Sequence, residues 1–366
     1  MRTVRYLLLS LFLLSAFSVM GQAVDVVAEE AEILQTETLK DGLDGAASAL
    51  MDGLSPNTAA EFGKELWRMV TSVLSDPETP IRSALKLGAK LLTAVILCAA
   101  VDGLDTGLSQ KAVNWAGAAA MTAIYAGSVS GLSGAAEQTV ERIADFQKLL
   151  LPVLSGALAA SGGGTSSAAL YAGSTLVFSV LSGLIRRVLL PMADIFLLLS
   201  AAECAAEGGR FHALRELGGW SISAALKGIV YAFTGYLALT GLLTGSADTM
   251  ALKAAKTVSG AVPVVGAMLS DASEAILAGA GVLKTSAGIF GMLAVFAIGL
   301  TPLMRMAAEY LVLRLITAVS GTVGSPAHQK LLENLTAVTG YLLAMTAAAL
   351  FMALVSICCF LKAVAL

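Results

Sequence analysis

The chain has 366 residues, of which 57% are hydrophobic and only 13% charged, with 26 acids against 23 Lys and Arg. Its mean hydropathy is +0.81. A soluble domain is about a quarter charged, so these proportions exclude a soluble enzyme, a disordered chain and a nucleic-acid-binding protein, and they point to an integral membrane protein. Aromatics are only 6% while Gly reaches 36 residues. That balance suits closely packed helices rather than an aromatic-girdled β-barrel. The expected fold class is all-α: a polytopic helical membrane protein with broken or re-entrant and amphipathic helices, preceded by a signal peptide and a small exported helical region.

Residues 1–23 have the composition of a signal peptide. Arg2 and Arg5 form a basic start, residues 6–20 an apolar core, and Gly21 and Ala23 offer the small side chains that a signal peptidase reads. Cleavage after Ala23 and retention as an uncleaved anchor both leave the next stretch facing outward. Between residues 24 and 80 twelve acids face only Lys40, Lys64 and Arg68, whereas beyond residue 80 eighteen Lys and Arg outnumber fourteen acids. Acidic segments translocate more readily than basic ones, so residues 24–83 are expected to form the exported region.

Within that region Leu39, Leu43, Leu50 and Leu54 recur at helical spacing, and Ser55-Pro56 suits the start of a second helix. Phe62, Leu66, Met69, Val70 and Val73 place an apolar stripe on that helix, which Asp76, Pro77 and Pro80 end. Two short helices bury little core alone. Their stripe should therefore rest on the remainder of the chain, on the membrane surface or on a partner.

Residues 84–366 are expected to be the multi-pass region. Residues 87–101 form a modest span with Lys90 near its start, and residues 112–136 carry no charge. Residues 137–148 read as a charged connector. The uncharged run 149–185 exceeds the ~20 residues a single upright helix needs, and Ser161-Gly162-Gly163-Gly164-Thr165 breaks it. Irregular backbone at membrane depth requires cover by protein or a water cavity, so this break is a turn at the membrane edge or a re-entrant loop. Further apolar segments follow at 188–202, 228–247, 285–304, 310–323 and 334–361, with an amphipathic Gly/Pro-interrupted unit at 248–284. The segments together predict six to eight crossings. Gly103-x-x-x-Gly107, Gly127-x-x-x-Gly131 and Gly241-x-x-x-Gly245 match the close-approach pattern of membrane helices.

Chemical motifs are scarce. His212 and His328 are far apart, and Cys98, Cys204, Cys358 and Cys359 show no zinc spacing. The sequence contains no phosphate loop, metalloprotease helix or nucleophile elbow, so neither an enzymatic activity nor a cofactor is expected. The polar candidates are intramembrane. Arg187 and Asp194 are seven residues apart and should share a helix face, while Arg305 and Glu309 are spaced i, i+4 and can pair, with Arg314 about one further turn along. Ionisable groups at such depth mark ion or substrate paths, or they pair with one another and serve packing.

One string is distinctive. Residues 251–272 read ALKAAKTVSGAVPVVGAMLSDA, a short basic helix, a glycine stop, a Pro-Val-Val-Gly turn and a second amphipathic helix. Lys253, Lys256, Gly260, Pro263, Val264, Val265, Gly266 and Asp271 carry the pattern. It resembles the stage III sporulation protein AE family. The resemblance extends to the N-terminal signal, the acidic exported segment, the Gly-rich break, Arg186-Arg187-Val188-Leu189-Leu190-Pro191 and the apolar C-terminal span.

The resemblance implies a non-enzymatic component of a secretion-like channel complex in the mother-cell membrane during endospore formation. It implies as partners membrane lipid, the other stage III A sporulation proteins and, indirectly, a ring of forespore stage II protein Q. A separate ATPase partner would supply the energy. No nucleic acid is expected to bind. The alternative is a stand-alone secondary transporter, suggested by the broken segment at 161–167 together with Asp194.

Overall fold

The computed structural model describes residues 43, 45–51, 62–75, 80–103, 110–160, 164–205, 211–239, 286–323 and 325–364. Among the described residues there are nine α-helices, one π-helical turn and no strand. They are α1 (Gly45–Met51), α2 (Phe62–Ser75), α3 (Pro80–Gly103), α4 (Gln110–Ala160), α5 (Gly164–Leu184), the π-turn Ile185–Leu189, α6 (Leu190–Ala205), α7 (His212–Leu239), α8 (Ser286–Val323) and α9 (Pro326–Val364).

The last helix is the axis of the bundle. Its 39 residues begin at Pro326, which needs no N–H partner at a first helical position. From Ala344 through Leu361, all but Ala347 are buried. Helix α8 runs back along it as an antiparallel partner. Thr317 meets Thr336, Met306 meets Thr346 and Met292 meets Cys358, so one index falls as the other rises. Helix α4 runs parallel to α9, since Tyr125 contacts Leu335 and Thr339 while Gln147 contacts Ala353. Helices α6 and α7 form a hairpin on another flank of α9, and α3 packs against α8 and α4. The small helices α1 and α2 lie on α8, with Ala47, Met51 and Met69 in the common core. The apolar stripe of α2 thus packs within the chain, while Trp67 and Leu74 stay exposed.

Four helices among the described residues are long and apolar enough to cross a membrane: Pro80–Val101, Tyr171–Cys204, Gly288–Thr322 and Pro326–Leu361. Several boundaries differ from the sequence reading. Residues 137–148 are the middle of the 51-residue α4 rather than a connector. Residues 168–202 form one continuous helical run, as do residues 286–323. Some of the charges that suggested breaks pair across helices, Arg186 with Glu137 and Glu141, and the backbone passes them without leaving the helix. The glycine run still separates two helices, α4 ending at Ala160 and α5 starting at Gly164.

The π-turn has a local cause. Pro191 cannot donate to the carbonyl of Arg187, and its ring crowds that oxygen in a regular helix. The backbone widens just before it, and Leu190 N–H bonds the Ile185 carbonyl five residues back.

Close approach between α3 and α8 depends on Gly88. A Cβ there would stand 2.5 Å from Val312 Cγ1 and 2.8 Å from Ile316 Cδ1. At Gly228 a Cβ would meet nothing within 4 Å. Gly88→Leu is expected to destabilise the bundle by about 1–3 kcal/mol, the usual cost of overpacking, whereas Gly228→Leu should change stability by about 0.5–1 kcal/mol at most. Unfolding midpoints of the two variants in one detergent would check this, and equal midpoints would refute the packing argument.

Candidate functional site

Helix α9 is buried where it carries Asn334, Thr336, Thr339, Thr346 and Ser356. Hydroxyls on a buried helix find acceptors on their own preceding turn or on a neighbour. Thr336 and Thr346 donate to the carbonyls of Leu332 and Leu342 at 2.7 and 3.1 Å. Tyr125 of α4 donates to the Leu335 carbonyl at 3.0 Å and lies 2.7 Å from Thr339 Oγ1. Further along, Gln147 Nε2 donates to the Ala353 carbonyl at 3.2 Å, and Ser356 Oγ donates to Ser174 Oγ at 3.2 Å. A polar seam therefore follows the packing line of α9.

Glu309 joins this seam from α8. Its side chain is 1% exposed, and Ser128 Oγ of α4 donates to Glu309 Oε2 at 2.7 Å. Arg305 lies one turn before it, with Nε 3.6 Å from Glu309 Oε1. That separation permits charge attraction but exceeds hydrogen-bond length, and Arg305 Nε has no hydrogen-bond partner. The rest of the guanidinium lies over α4 at Gly131, where a Cβ would stand 3.6 Å from Nη2.

Two other ionic groups tie helices together. Arg186, in the π-turn, donates from Nε to Glu137 Oε1 and from Nη1 to Glu141 Oε1, each at 2.9 Å. Its two acceptors sit one turn apart on α4, so one guanidinium bridges both. At the opposite end of α6, Glu203 is 6% exposed and gathers Lys330, Arg215 and His212. Lys330 Nζ donates to Oε1 at 2.8 Å, and Arg215 Nε donates to Oε2. His212 Nδ1 is 3.0 Å from Glu203 Oε1 and 3.1 Å from Arg215 Nη2; the first contact needs a protonated Nδ1 and the second a bare one. The Arg215 guanidinium also lies 5.9 Å from the Phe196 ring centroid, and Phe196 meets Tyr341 edge-on at 5.5 Å. A cavity of about 150 Å³ adjoins Glu203, Lys330 and Asn334.

The sequence candidates are distributed unevenly. Arg305 and Glu309 are brought together with Ser128, a partner that no spacing rule indicated. Arg187 and Asp194 are both exposed, and no ion pair joins them. The π-turn between them offsets the helical phase on which their alignment depended. Arg314 is exposed and has no ion pair among the described residues. Lys253, Lys256, Gly260, Pro263, Val264, Val265, Gly266 and Asp271 lie outside the described residues. The hub residues Glu203, Arg215 and Lys330 were missed because they come from three separate segments. The cysteines are free thiols, and no three His, Cys, Asp or Glu side chains converge as metal ligands among the described residues.

These groups hold helices in register. Ser128→Ala removes a donor to a buried carboxylate and is expected to cost about 1–3 kcal/mol. Glu203→Leu leaves the Arg215 charge without its buried counter-ion and should cost about 3–5 kcal/mol, against under ~1 kcal/mol for Lys330→Met at the exposed rim. Equilibrium unfolding in micelles would rank the three; a Lys330 effect as large as that of Glu203 would show that the rim pair is not solvent-screened.

The family model described as Stage III sporulation protein AE matches residues 47–363. The stage III sporulation protein AE of Bacillus subtilis (strain 168) is 24% identical over 190 residues, covering 52% of this chain and 48% of that relative. The matched region thus spans about half the length of the curated relative. No solved structure matches the chain.

Proposed function

Because the chain belongs to the stage III sporulation protein AE family, we propose that it is a non-enzymatic, multi-pass component of a secretion-like complex between mother cell and forespore, resident in the mother-cell membrane. The match across residues 47–363 carries this reading. It takes in the helical bundle and the 253–271 string alike. The bundle is suited to a platform: its ionic groups connect α4 to the π-turn, α6 to α7 and α9, and α8 to α4, and so serve rigidity across helices. In this reading residues 1–23 direct export and residues 24–83 face the intermembrane space. The amphipathic unit 248–284 meets partner proteins of the stage III A set, and a stage II protein Q ring lies beyond them.

The transporter alternative asked Asp194 to cooperate with an interrupted helix around a substrate. Asp194 stands on the exposed side of α6, which lends that reading less support than the platform.

Val264→Lys or Val265→Lys is expected to block assembly of the complex and arrest spore formation while the chain itself still accumulates in the membrane. Crosslinking in sporulating cells from positions within 24–83 and 248–284, with mass-spectrometric identification of the captured chains, would show the partners directly. Normal sporulation in both lysine variants, or solute transport by the purified chain alone in liposomes, would defeat the proposal.

A further inference from the structure

We propose that copies of this chain associate head to tail in the membrane, the exterior of α6 on one copy docking against the α3–α4 groove of the next, with Asp194 of one copy paired to Arg305 of its neighbour.

The groove is the first observation. Lipid-facing positions elsewhere carry large side chains such as Leu176, Leu198, Trp220 and Leu315. Between residues 116 and 131 the exposed positions of α4 are instead all small, among them Ala116, Ala120, Ala123, Gly127, Ser130 and Gly131, whereas Trp115 and Leu149 outside this stretch are large and exposed. A Cβ at Gly127 would meet nothing within 4 Å among the described residues, while at Gly131 it would meet only the Arg305 guanidinium, so no described helix backbone uses this close-approach pattern. Alongside it an apolar cavity of about 710 Å³ opens between α3 and α4, bounded by Leu97, Ala116, Ala120 and Ile124. Surfaces of small residues let membrane helices approach closely and gain packing energy that lipid does not provide.

Charge selects the occupant. Lys90 lines the cavity and Arg305 lies over Gly131, so the groove carries cations at both heights. Lys90 has no ion pair among the described residues, and Arg305, whose buried Nε lies 3.6 Å from Glu309, keeps 43% of its side chain exposed. Two copies meeting through the same groove would set these cations against each other. Asp194 is an exposed carboxylate without an ion pair, flanked on α6 by exposed Pro191, Ile195 and Leu198. Helix α3 packs on α8 and α4, whereas α6 packs on α9, α7 and α4, so the two surfaces lie on different flanks and a heterologous contact is sterically open.

Height is the third observation. In a ring whose axis follows the membrane normal, groups that meet must lie at the same depth in every copy. Phe196 packs on Tyr341, which places Asp194 just past Tyr341 along α9. Met306 contacts Thr346, which places Arg305 next to Thr346. The two charges are thus about one helical turn apart in depth, within the reach of an arginine. From Asp194, α6 descends toward Ala327, the same direction in which the cavity runs from Ile124 to Gly117 beside His328. Leu198, one turn on, is positioned to enter it.

The test uses the full chain in native membranes, with Cys98, Cys204, Cys358 and Cys359 replaced by Ser. Chains with Ile195→Cys and chains with Ser130→Cys, differently tagged, are co-expressed and oxidised, which leaves Asp194 in place. The expected result is a disulfide between the two tagged species and a ladder from a chain carrying both substitutions. Crosslinks only between two Ser130→Cys chains would show face-to-face pairing and overturn the proposal, as would no 195–130 product. In a second arm, without Ile195→Cys, a reporter pair at Leu198→Cys and Ala123→Cys follows charge reversal. Asp194→Arg or Arg305→Asp alone should lower its yield about tenfold, and the double reversal should restore it. The first arm keeps Arg305 intact, so misfolding of Arg305→Asp would not obscure the outcome. Neither arm depends on sporulation, and a negative result leaves the family-level reading standing.

Discussion

A helix buried on every side within a membrane protein has to find all its polar partners inside the bundle, because neither water nor lipid can supply them. Helix α9 sets this condition for the whole chain. Its hydroxyls fix where α4 must sit, through Tyr125 at Thr339, and where α5 must sit, through Ser174 at Ser356. Burying apolar side chains separates no helix from lipid in energetic terms, so association relies on close packing and interhelical hydrogen bonds. Gly88 on α3 shows the packing component and Ser128 on α4 the bonding one.

The same condition explains the position of the charges. Between Thr339 and Ala353 of α9 the surrounding helices bring Arg186, Glu137, Glu141, Arg305, Glu309 and Asp194 to similar depth. Helix α9 is about 58 Å long and α4 about 76 Å by helical rise, well beyond the ~30 Å of hydrocarbon. Helices of such length tilt or project from the bilayer, and a transverse belt of paired charges gives them a polar level partway along. Within this belt Arg186 is satisfied twice and Glu309 once, whereas Asp194 has no ion pair among the described residues.

Much of this was legible in residue order. Apolar runs located the helices, and the glycine run marked the separation between Ala160 and Gly164. The i, i+4 spacing brought Arg305 toward Glu309. Reading charge as punctuation failed, because a sequence does not reveal that Glu137 and Glu141 are met by Arg186, about 45 residues away. Reading phase failed between Arg187 and Asp194, because Pro191 acts on the turn before it and changes the period locally. The Glu203 hub was hidden for a third reason: its members lie on α6, α7 and α9, and only the antiparallel packing of α6 on α9 brings Lys330 to it.

The close-approach motifs make the sharpest distinction between pattern and use. Gly127-x-x-x-Gly131 has the spacing associated with helix contact, yet among the described residues only the Arg305 side chain reaches it, at Gly131, and no helix backbone does. Gly88 lies in none of those motifs, yet a Cβ there would clash with Val312 and Ile316 of α8. A motif of small residues reports that an approach is sterically permitted; it does not say whether the approaching helix belongs to the same chain. Within one fold every contact serves the bundle, so an open glycine face on a helix already packed on several others is surplus to folding. Small residues there forgo lipid contact that Leu or Val would make. Such a face fits a chain that works within an assembly, where the missing helix comes from outside.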